Sequence, residues 1–230
     1  MKLITELHNK HKDKPIWIAG SGPSLDNYPD NYLDNKIAFT LHLAHVKYPN
    51  ATYRYANEFD RVKWLKSNYP DYASKTNIYA YPFYKRNYQQ VSELINLDYE
   101  KYYFLILRPK TSPNPDFVKE KVRQAKEGLA VDFGGYGVCL HACMYVAIMM
   151  GGNPINIIGS NHETVKGKDH YKEIDSTDKS MRPNTPPYTS YRGDYMKMGT
   201  KTIIEACKQN DITVNWIKNY EQTLHLDKKS

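Results

Sequence analysis

Short apolar runs, rich in β-branched and aromatic residues, recur along the chain and are separated by polar stretches. Such runs are typical of strands buried in a parallel sheet. The pattern predicts strands at Ile16–Ala19, Ile37–Leu41, Thr52–Ala56, Asn77–Tyr81, Tyr102–Leu107, Ile155–Ile158 and Ile212–Ile217.

Segments with helical spacing or helix-capping residues lie between these runs. A helix after Asn114-Pro115 has Pro at its first turn and Gly128 past its end, and residues 138–150 are apolar on every face, as in a central buried helix. The other predicted helices are at about Lys2–Lys10, after a capping Asn57, at Gln89–Leu97 and at Thr200–Lys208. The alternation predicts a single Rossmann-like α/β domain over residues 1–230, with a mostly parallel sheet and helices on both faces.

A long polar segment, residues 163–195, interrupts this alternation. It is rich in Pro, Tyr and Lys and has no period. Long structureless segments in compact domains are usually functional, most often as lids. The sequence therefore predicts a lid at about residues 161–195, before the last helix and strand.

The loop Gly20-Ser21-Gly22-Pro23-Ser24 directly follows the first long apolar run. A strand that ends in a Gly-rich loop and a helix start can bind a phosphate, with Ser24 as N-cap or phosphate donor. A plain turn without a ligand is the alternative.

Other polar residues follow predicted strands in the same way, namely His42, Asn57, Asn161 and His162. Ligands of parallel α/β sheets bind at the carboxyl edge of the strands. We expect these residues and the Gly-rich loop to form one site, in which His42 and Asn57 contact the base or ribose. Roles in turns and caps are the alternative for both.

The net charge of +7 and the pI of about 9.0 favour an anionic partner. The lysines are scattered and no RNA-binding aromatic signature is present, so nucleic acid is the less favoured partner.

The number of cysteines is odd, 3, which indicates reduced thiols and a cytoplasmic protein. The start of the chain does not resemble a signal peptide, and no apolar stretch is long enough to predict a membrane span. A homo-oligomer is compatible with the sequence, which does not specify the oligomeric state.

Three segments, in this order, resemble a known superfamily: IAGSGPSL, GYGVCLHACMYVAIMMGG, and INIIGSNH with His170-Tyr171 beyond it. One branch is the motility accessory factor and hydroxymethylpterin pyrophosphokinase-like family. The other is the small bacterial sialyltransferase family, which transfers sialic acid from CMP-sialic acid. In both branches the first loop reads G-x-G-P-S-L and binds the nucleotide. The resemblance covers about the first 30 residues and residues 135–217.

The chain departs from the family pattern at three places. Asn161 stands where the family usually has Asp, and Tyr136 stands where the sialyltransferases have Ser, before Gly137 at the start of the central helix. The segment Ser190–Tyr195 lacks the histidine that serves as their general base. Another residue is therefore expected to be the base, and the candidates are His170, His162 and, within that same segment, Asp194.

The resemblance implies a phosphate-bearing ligand beside Asn161 and Gly137. Hydroxyl and guanidinium groups suit a leaving phosphate when no metal is present, and Arg192 is the preferred candidate. The tyrosines that could assist are Tyr171, Tyr188 and Tyr191. No standard zinc pattern occurs, whereas a Mg²⁺ ion on Glu163, Asp169 or Asp175 is what the pyrophosphokinase branch would require.

The sequence thus predicts a glycosyltransferase that uses a CMP-sugar donor without an obligatory metal. It would transfer a sialic-acid-like sugar to a glycan or other hydroxyl acceptor by direct displacement. A Mg²⁺-dependent diphosphokinase of the hydroxymethylpterin type is one alternative. A non-catalytic binder of nucleotides or nucleic acid is the other.

Overall fold

A computed structural model describes residues 2–56, 64–65, 67–69, 76–82, 102–107, 114–129, 139–162 and 190–226. The strands within them are β1 Lys2–Leu3, β2 Ile16–Ala19, β3 Ile37–Leu41, β4 Tyr53–Ala56, β5 Thr76–Pro82, β6 Tyr102–Leu107, β7 Ile155–Ile158 and β8 Val214–Trp216. They form one sheet in the order β1-β6-β5-β4-β3-β2-β7-β8, and all neighbouring pairs are parallel. The predicted α/β class with a Rossmann-like parallel sheet is confirmed.

The described helices are α1 Ala44–Lys47, α2 Pro115–Lys126, α3 Cys139–Met149 and α4 Ser190–Lys208, with 3₁₀ turns at Ile4–Leu7, Pro23–Asn27 and Tyr220–Thr223. Helix α2 begins as predicted, because the Asn114 side chain accepts a hydrogen bond from the Asp116 N–H at 2.9 Å. It ends before Gly128, whose φ of +74° is a left-handed conformation. None of the described helices is both long and apolar enough to span a bilayer.

Successive side chains of β2 point to opposite faces of the sheet, and each face is covered by a different layer. Ile16 and Ile18 face the core formed with α2, α3 and α4, whereas Trp17 and Ala19 face a second core. The second core is built by the 3₁₀ turn at Pro23–Asn27, by α1, and by aromatic side chains of the segments beside them. The sheet is therefore covered on both faces, by long helices on one and by short ones on the other.

Helix α3 is the centre of the first core. Every residue from Leu140 to Met149 is buried, and the helix lies against β2, β3, β4 and β7. A helix that is apolar on all sides needs a cover on its outer face as well. Helices α2 and α4 supply it, since both pack on α3.

The predicted N-terminal helix at about Lys2–Lys10 is wrong. Lys2–Leu3 is instead an edge strand that pairs with Tyr103 and Phe104 of β6, and only Ile4–Leu7 is helical, as a 3₁₀ turn. Ile4 and Leu7 are buried in the first core, which explains the apolar spacing that suggested a helix.

The start of the last helix was also predicted wrongly. Helix α4 begins at Ser190, not at Thr200, so residues 190–195 belong to it and not to a lid. Residues 163–189 lie outside the described part of the chain. The last strand is shorter than the predicted Ile212–Ile217 and spans Val214–Trp216.

Candidate functional site

The candidate site lies where the sheet reverses its winding. Strand β2 has β3 on one side and β7 on the other, so the chain leaves β2 in one direction and β7 in the opposite one. Right-handed crossovers then require the two connections to pass over opposite faces. Leu25 and Leu33 of the β2–β3 connection pack in the second core, and Ile203 of α4 packs in the first. The loops after β2 and β7 thus part at a topological switch point, where α/β folds bind ligands.

The glycines after β2 are required by the neighbouring loop. The N–H groups of Gly20 and Gly22 donate to the carbonyls of Ile158 and Gly159 at 2.9 and 2.7 Å. A Cβ on Gly20 would lie 2.0 Å from Ser160 Oγ, and one on Gly22 would lie 2.7 Å from Gly159 O. The Gly-Ser-Gly pattern is therefore explained by two loops in close contact, whether or not a ligand is bound.

Ser24 joins the two loops through its side chain. Its hydroxyl donates a hydrogen bond to Asn161 Oδ1, and Ser24 itself is 7% exposed. The predicted capping role of Ser24 is wrong, because Gly22 is the N-cap of the 3₁₀ turn and Ser24 lies inside it. Asn161 suits this contact, since its amide oxygen accepts the hydroxyl hydrogen without placing a negative charge in the crevice.

His162 follows β7 in a left-handed conformation, with φ of +54°. Its Nε2 lies 3.0 Å from Thr200 Oγ1 of α4, and its ring lies 5.9 Å from that of Trp216. A Cβ on Gly193 would come within 2.6 Å of the His162 carbonyl oxygen. The first turn of α4 therefore lies directly against His162, and glycine at 193 permits this approach.

A second imidazole shares the same hydroxyl. His141 of α3 is 1% exposed, and its Nε2 lies 2.9 Å from Thr200 Oγ1, which in turn donates to Met196 O at 3.1 Å. The Thr200 hydroxyl has one hydrogen, which it donates to Met196 O. Both imidazoles must therefore donate to the Thr200 oxygen from Nε2. The lone pair of each neutral ring is then on Nδ1.

Burial keeps His141 neutral. Desolvation, and to a smaller extent repulsion by His162, lower its pKa from 6.5 to about 3, while a hydrogen bond to the Met196 backbone acts in the opposite direction. At neutral pH the imidazole of His141 is therefore an uncharged donor in the core.

His42 lies on the other side of β2, just after β3. Its φ is +46°, its N–H donates to Tyr55 O at 3.0 Å, and it is 8% exposed. The ring does not face open solvent, because Nε2 is hydrogen-bonded to the Sγ of Cys139, the first residue of α3. The predicted contact of His42 with a base or ribose is untested, and its ring lies against this thiol.

The remaining predicted residues fall into two groups. In the described part, Ser21 is partly exposed, Pro23 is buried, Asp194 is exposed on α4, and Tyr191 and Arg192 belong to the first turn of α4. The residues outside the described part are Asn57, Gly137, Glu163, Asp169, His170, Tyr171, Asp175 and Tyr188.

The sequence interpretation missed His141, Thr200 and Cys139. One signal was present: a histidine inside an otherwise apolar helix must find a hydrogen-bond partner when it is buried. The partner, Thr200, is 59 residues away in the chain, and no local pattern connects the two.

Among the described residues, no group of three or more His, Cys, Asp or Glu side chains is placed to hold a metal ion.

Comparison of the chain with protein-family models, with curated proteins and with solved structures finds no match. The resemblance to the sialyltransferases and the pyrophosphokinase-like proteins therefore stays a prediction. What supports a function is the geometry of the switch point.

Proposed function

We propose that this protein is a nucleotide-sugar-dependent glycosyltransferase that binds its donor at the crevice between the β2 and β7 loops. The observation that carries the proposal is the convergence, at the switch point, of the GSGPS loop with a histidine whose ring orientation is fixed by Thr200. Crevices of this kind are where parallel α/β sheets bind nucleotides. The donor class, a CMP-linked sialic-acid-like sugar, rests on the sequence resemblance alone.

In this proposal His162 is the general base. Its Nε2 donates to Thr200, so its Nδ1 accepts the proton of the acceptor hydroxyl. The acceptor oxygen forms a bond to the anomeric carbon of the sugar, and the bond from that carbon to the phosphate oxygen breaks. The base contributes typically 10²–10⁴-fold to such a step.

The leaving phosphate would be stabilised by the first turn of α4. This helix has 19 residues and begins at Ser190, close to the point where Gly193 meets the His162 backbone. The N-terminal N–H groups of a helix favour an anion. Arg192, in the same turn, is the proposed side-chain ligand of the phosphate.

Thermal-shift measurements with CMP, CDP, UDP, GDP and ATP, each with Mg²⁺ or with EDTA, test the binding step. Saturating CMP at about 100 times its Kd should stabilise the fold by about 2.7 kcal/mol, a shift of several degrees in Tm, with EDTA as with Mg²⁺. Stabilisation by ATP that EDTA abolishes would indicate the diphosphokinase instead. No shift with any nucleotide would contradict the proposal.

His162→Gln tests the chemical step. We expect CMP to stabilise this variant as much as the wild type, while transfer from a CMP-sugar falls by at least about 100-fold. The matched control is His225→Gln, an exposed histidine of the C-terminal segment, which should keep the full rate. Full transfer activity in His162→Gln would show that the base is another group.

A further inference from the structure

The three cysteines of the chain have different surroundings. All are reduced thiols, and Cys143 and Cys207 are 0% exposed, whereas Cys139 is partly exposed. Burial raises the pKa of Cys207 to about 12 and raises that of Cys143 well above its usual value. Two of the thiols are therefore inert, and chemistry with a reagent from solvent is left to Cys139.

Cys139 contacts a base that is held in position. The Nε2 of His42 is hydrogen-bonded to the Sγ of Cys139, and the His42 backbone is fixed by its N–H bond to Tyr55 O at 3.0 Å. His42 adopts a left-handed φ of +46°, which is uncommon outside glycine and occurs often at functional sites. A nucleophile within hydrogen-bond reach of an oriented base is the arrangement that activates thiols.

The position of the thiol favours its anionic form. Cys139 is the first residue of α3, which has 11 residues, and helix N-termini stabilise thiolates. Among the described titratable groups, His42 after β3 is hydrogen-bonded to the sulfur, and Tyr55 of β4 and Cys143 of α3 interact with it electrostatically. At neutral pH Tyr55 and Cys143 are uncharged, because burial raises the pKa of each, so neither opposes a thiolate at Cys139.

We propose that Cys139 is a nucleophilic thiol, activated by His42, that forms a mixed disulfide with an anionic low-molecular-weight disulfide. His42 Nε2 takes the thiol proton, and the Cys139 sulfur attacks one sulfur of the disulfide. A new S–S bond forms as the old one breaks, the leaving thiolate departs, and it takes up a proton from solvent. The disulfide is the oxidant, so the exchange is balanced. The N-terminus of α3 and the net charge of +7 select an anionic reagent.

Glutathione disulfide is the anionic probe and cystamine is its cationic counterpart. Peptide mass spectrometry should find the glutathione adduct on Cys139, at least about tenfold faster than on Cys143 or Cys207, which serve as controls within the same molecule. In low salt, glutathione disulfide should react about threefold faster than cystamine. An adduct on Cys207 at an equal rate, or a faster reaction with cystamine, would overturn the proposal.

His42→Gln tests the activation and should slow adduct formation by about tenfold at pH 6, while Cys139→Ser should form no adduct. If His42→Gln does not fold, the pH dependence of alkylation of the wild type by iodoacetamide tests instead whether His42 activates Cys139. Between pH 6 and pH 8 the rate for free glutathione should rise by nearly two orders of magnitude, but the rate for Cys139 by less than about fivefold. A Cys139 rate that rises as steeply as that of glutathione would overturn the activation by His42. These measurements need no nucleotide, so their outcome is independent of the glycosyltransferase proposal.

Discussion

His42 and His162 lie on the two sides of β2 and share a backbone conformation, yet their rings meet different chemistry. His42 is the first residue after β3 and His162 is the fourth after β7, and each has a left-handed φ, +46° and +54°. The Nε2 of His42 meets a thiol from the first residue of α3, whereas the Nε2 of His162 meets the Thr200 hydroxyl of α4. A thiol can give up its proton near neutral pH and a threonine hydroxyl cannot. The two imidazoles thus share a left-handed φ, and the partner residue on the helix determines whether the hydrogen bond can transfer a proton or only fixes the tautomer of the ring.

The His162 side contains a second imidazole, His141, which also bonds Thr200. Three groups thus depend on one hydroxyl that is 0% exposed, namely two imidazoles and the Met196 carbonyl. On the His42 side the contact links one imidazole and one sulfur. Substitutions on the His162 side should accordingly cost more stability.

Replacing Thr200 by Val should have the largest effect. The substitution keeps the shape and removes the acceptor of both Nε2–H groups, one of which is fully buried, so we expect a loss of about 2–3 kcal/mol of unfolding free energy. Urea denaturation measures it.

The matched control for Thr200→Val is Thr202→Val. Thr202 makes the same i−4 bond to a helix carbonyl, that of Met198 at 2.9 Å, but is partly exposed. It should cost less than about 1 kcal/mol. If the two variants lost the same unfolding free energy, the hydrogen bonds of the Thr200 hydroxyl to the two imidazoles would contribute nothing measurable to stability.

Acidification should destabilise the protein through His141. The unfolded chain binds a proton with a pKa near 6.5 and the folded chain only near 3, so stability falls as the pH falls through this window. Between pH 7 and pH 5 the loss should be about 2 kcal/mol. Urea midpoints at the two pH values measure it.

His141→Gln should show a pH dependence smaller by that amount, and Thr202→Val, which removes no titratable group, should keep the wild-type dependence. If His141→Gln and the wild type lose the same stability between pH 7 and pH 5, His141 is not the buried neutral group that the structure indicates.

Gly193→Ala tests the contact between α4 and the loop after β7. Helix propensity alone would make alanine more stable by about 1 kcal/mol. A Cβ 2.6 Å from the His162 carbonyl oxygen requires the backbone to move, and such overpacking costs about 1–3 kcal/mol. We expect a net loss of about 1 kcal/mol in urea denaturation. A gain in stability would show that the loop after β7 moves away from the new Cβ without a loss of unfolding free energy.

Asp194→Asn should have the smallest effect. The side chain is exposed on α4, so we expect less than about 0.5 kcal/mol in stability and less than about a twofold change in transfer rate. A large loss of transfer with binding unchanged would move the role of general base from His162 to Asp194.

The sheet could be predicted from the sequence because buried parallel strands are continuous apolar runs. The runs at Ile16–Ala19, Ile37–Leu41 and Ile155–Ile158 became β2, β3 and β7 with the predicted bounds. Lys2–Leu3 could not be assigned in this way, since its strand exists only through pairing with β6, about a hundred residues later.

The candidate site was predictable where it depends on strand ends and not where it depends on contacts between helices. The loops at Gly20–Ser24 and Asn161-His162 follow apolar runs, and the parallel order brings them together. The Thr200 hydroxyl and the Cys139 thiol approach from α4 and α3, whose packing no local pattern encodes. The lid predicted at about residues 161–195 included Gly193, because the segment 163–195 is polar and has no period, and no local pattern shows that the His162 backbone comes close to Gly193.

The segment before β2 has a consequence for the order in which the chain can become structured. The N–H groups of Asn9, His11 and Asp13 donate to the carbonyls of Met149, Met150 and Gly151, at 2.9, 2.8 and 2.9 Å, so they satisfy the last carbonyl of α3 and those of the two residues after it. These residues are synthesised more than a hundred residues before their partners near residue 150, and most of the sheet is made in between. Contacts of such long sequence separation slow folding. During synthesis the N–H groups of Asn9, His11 and Asp13 stay without these acceptors until the end of α3 has been made.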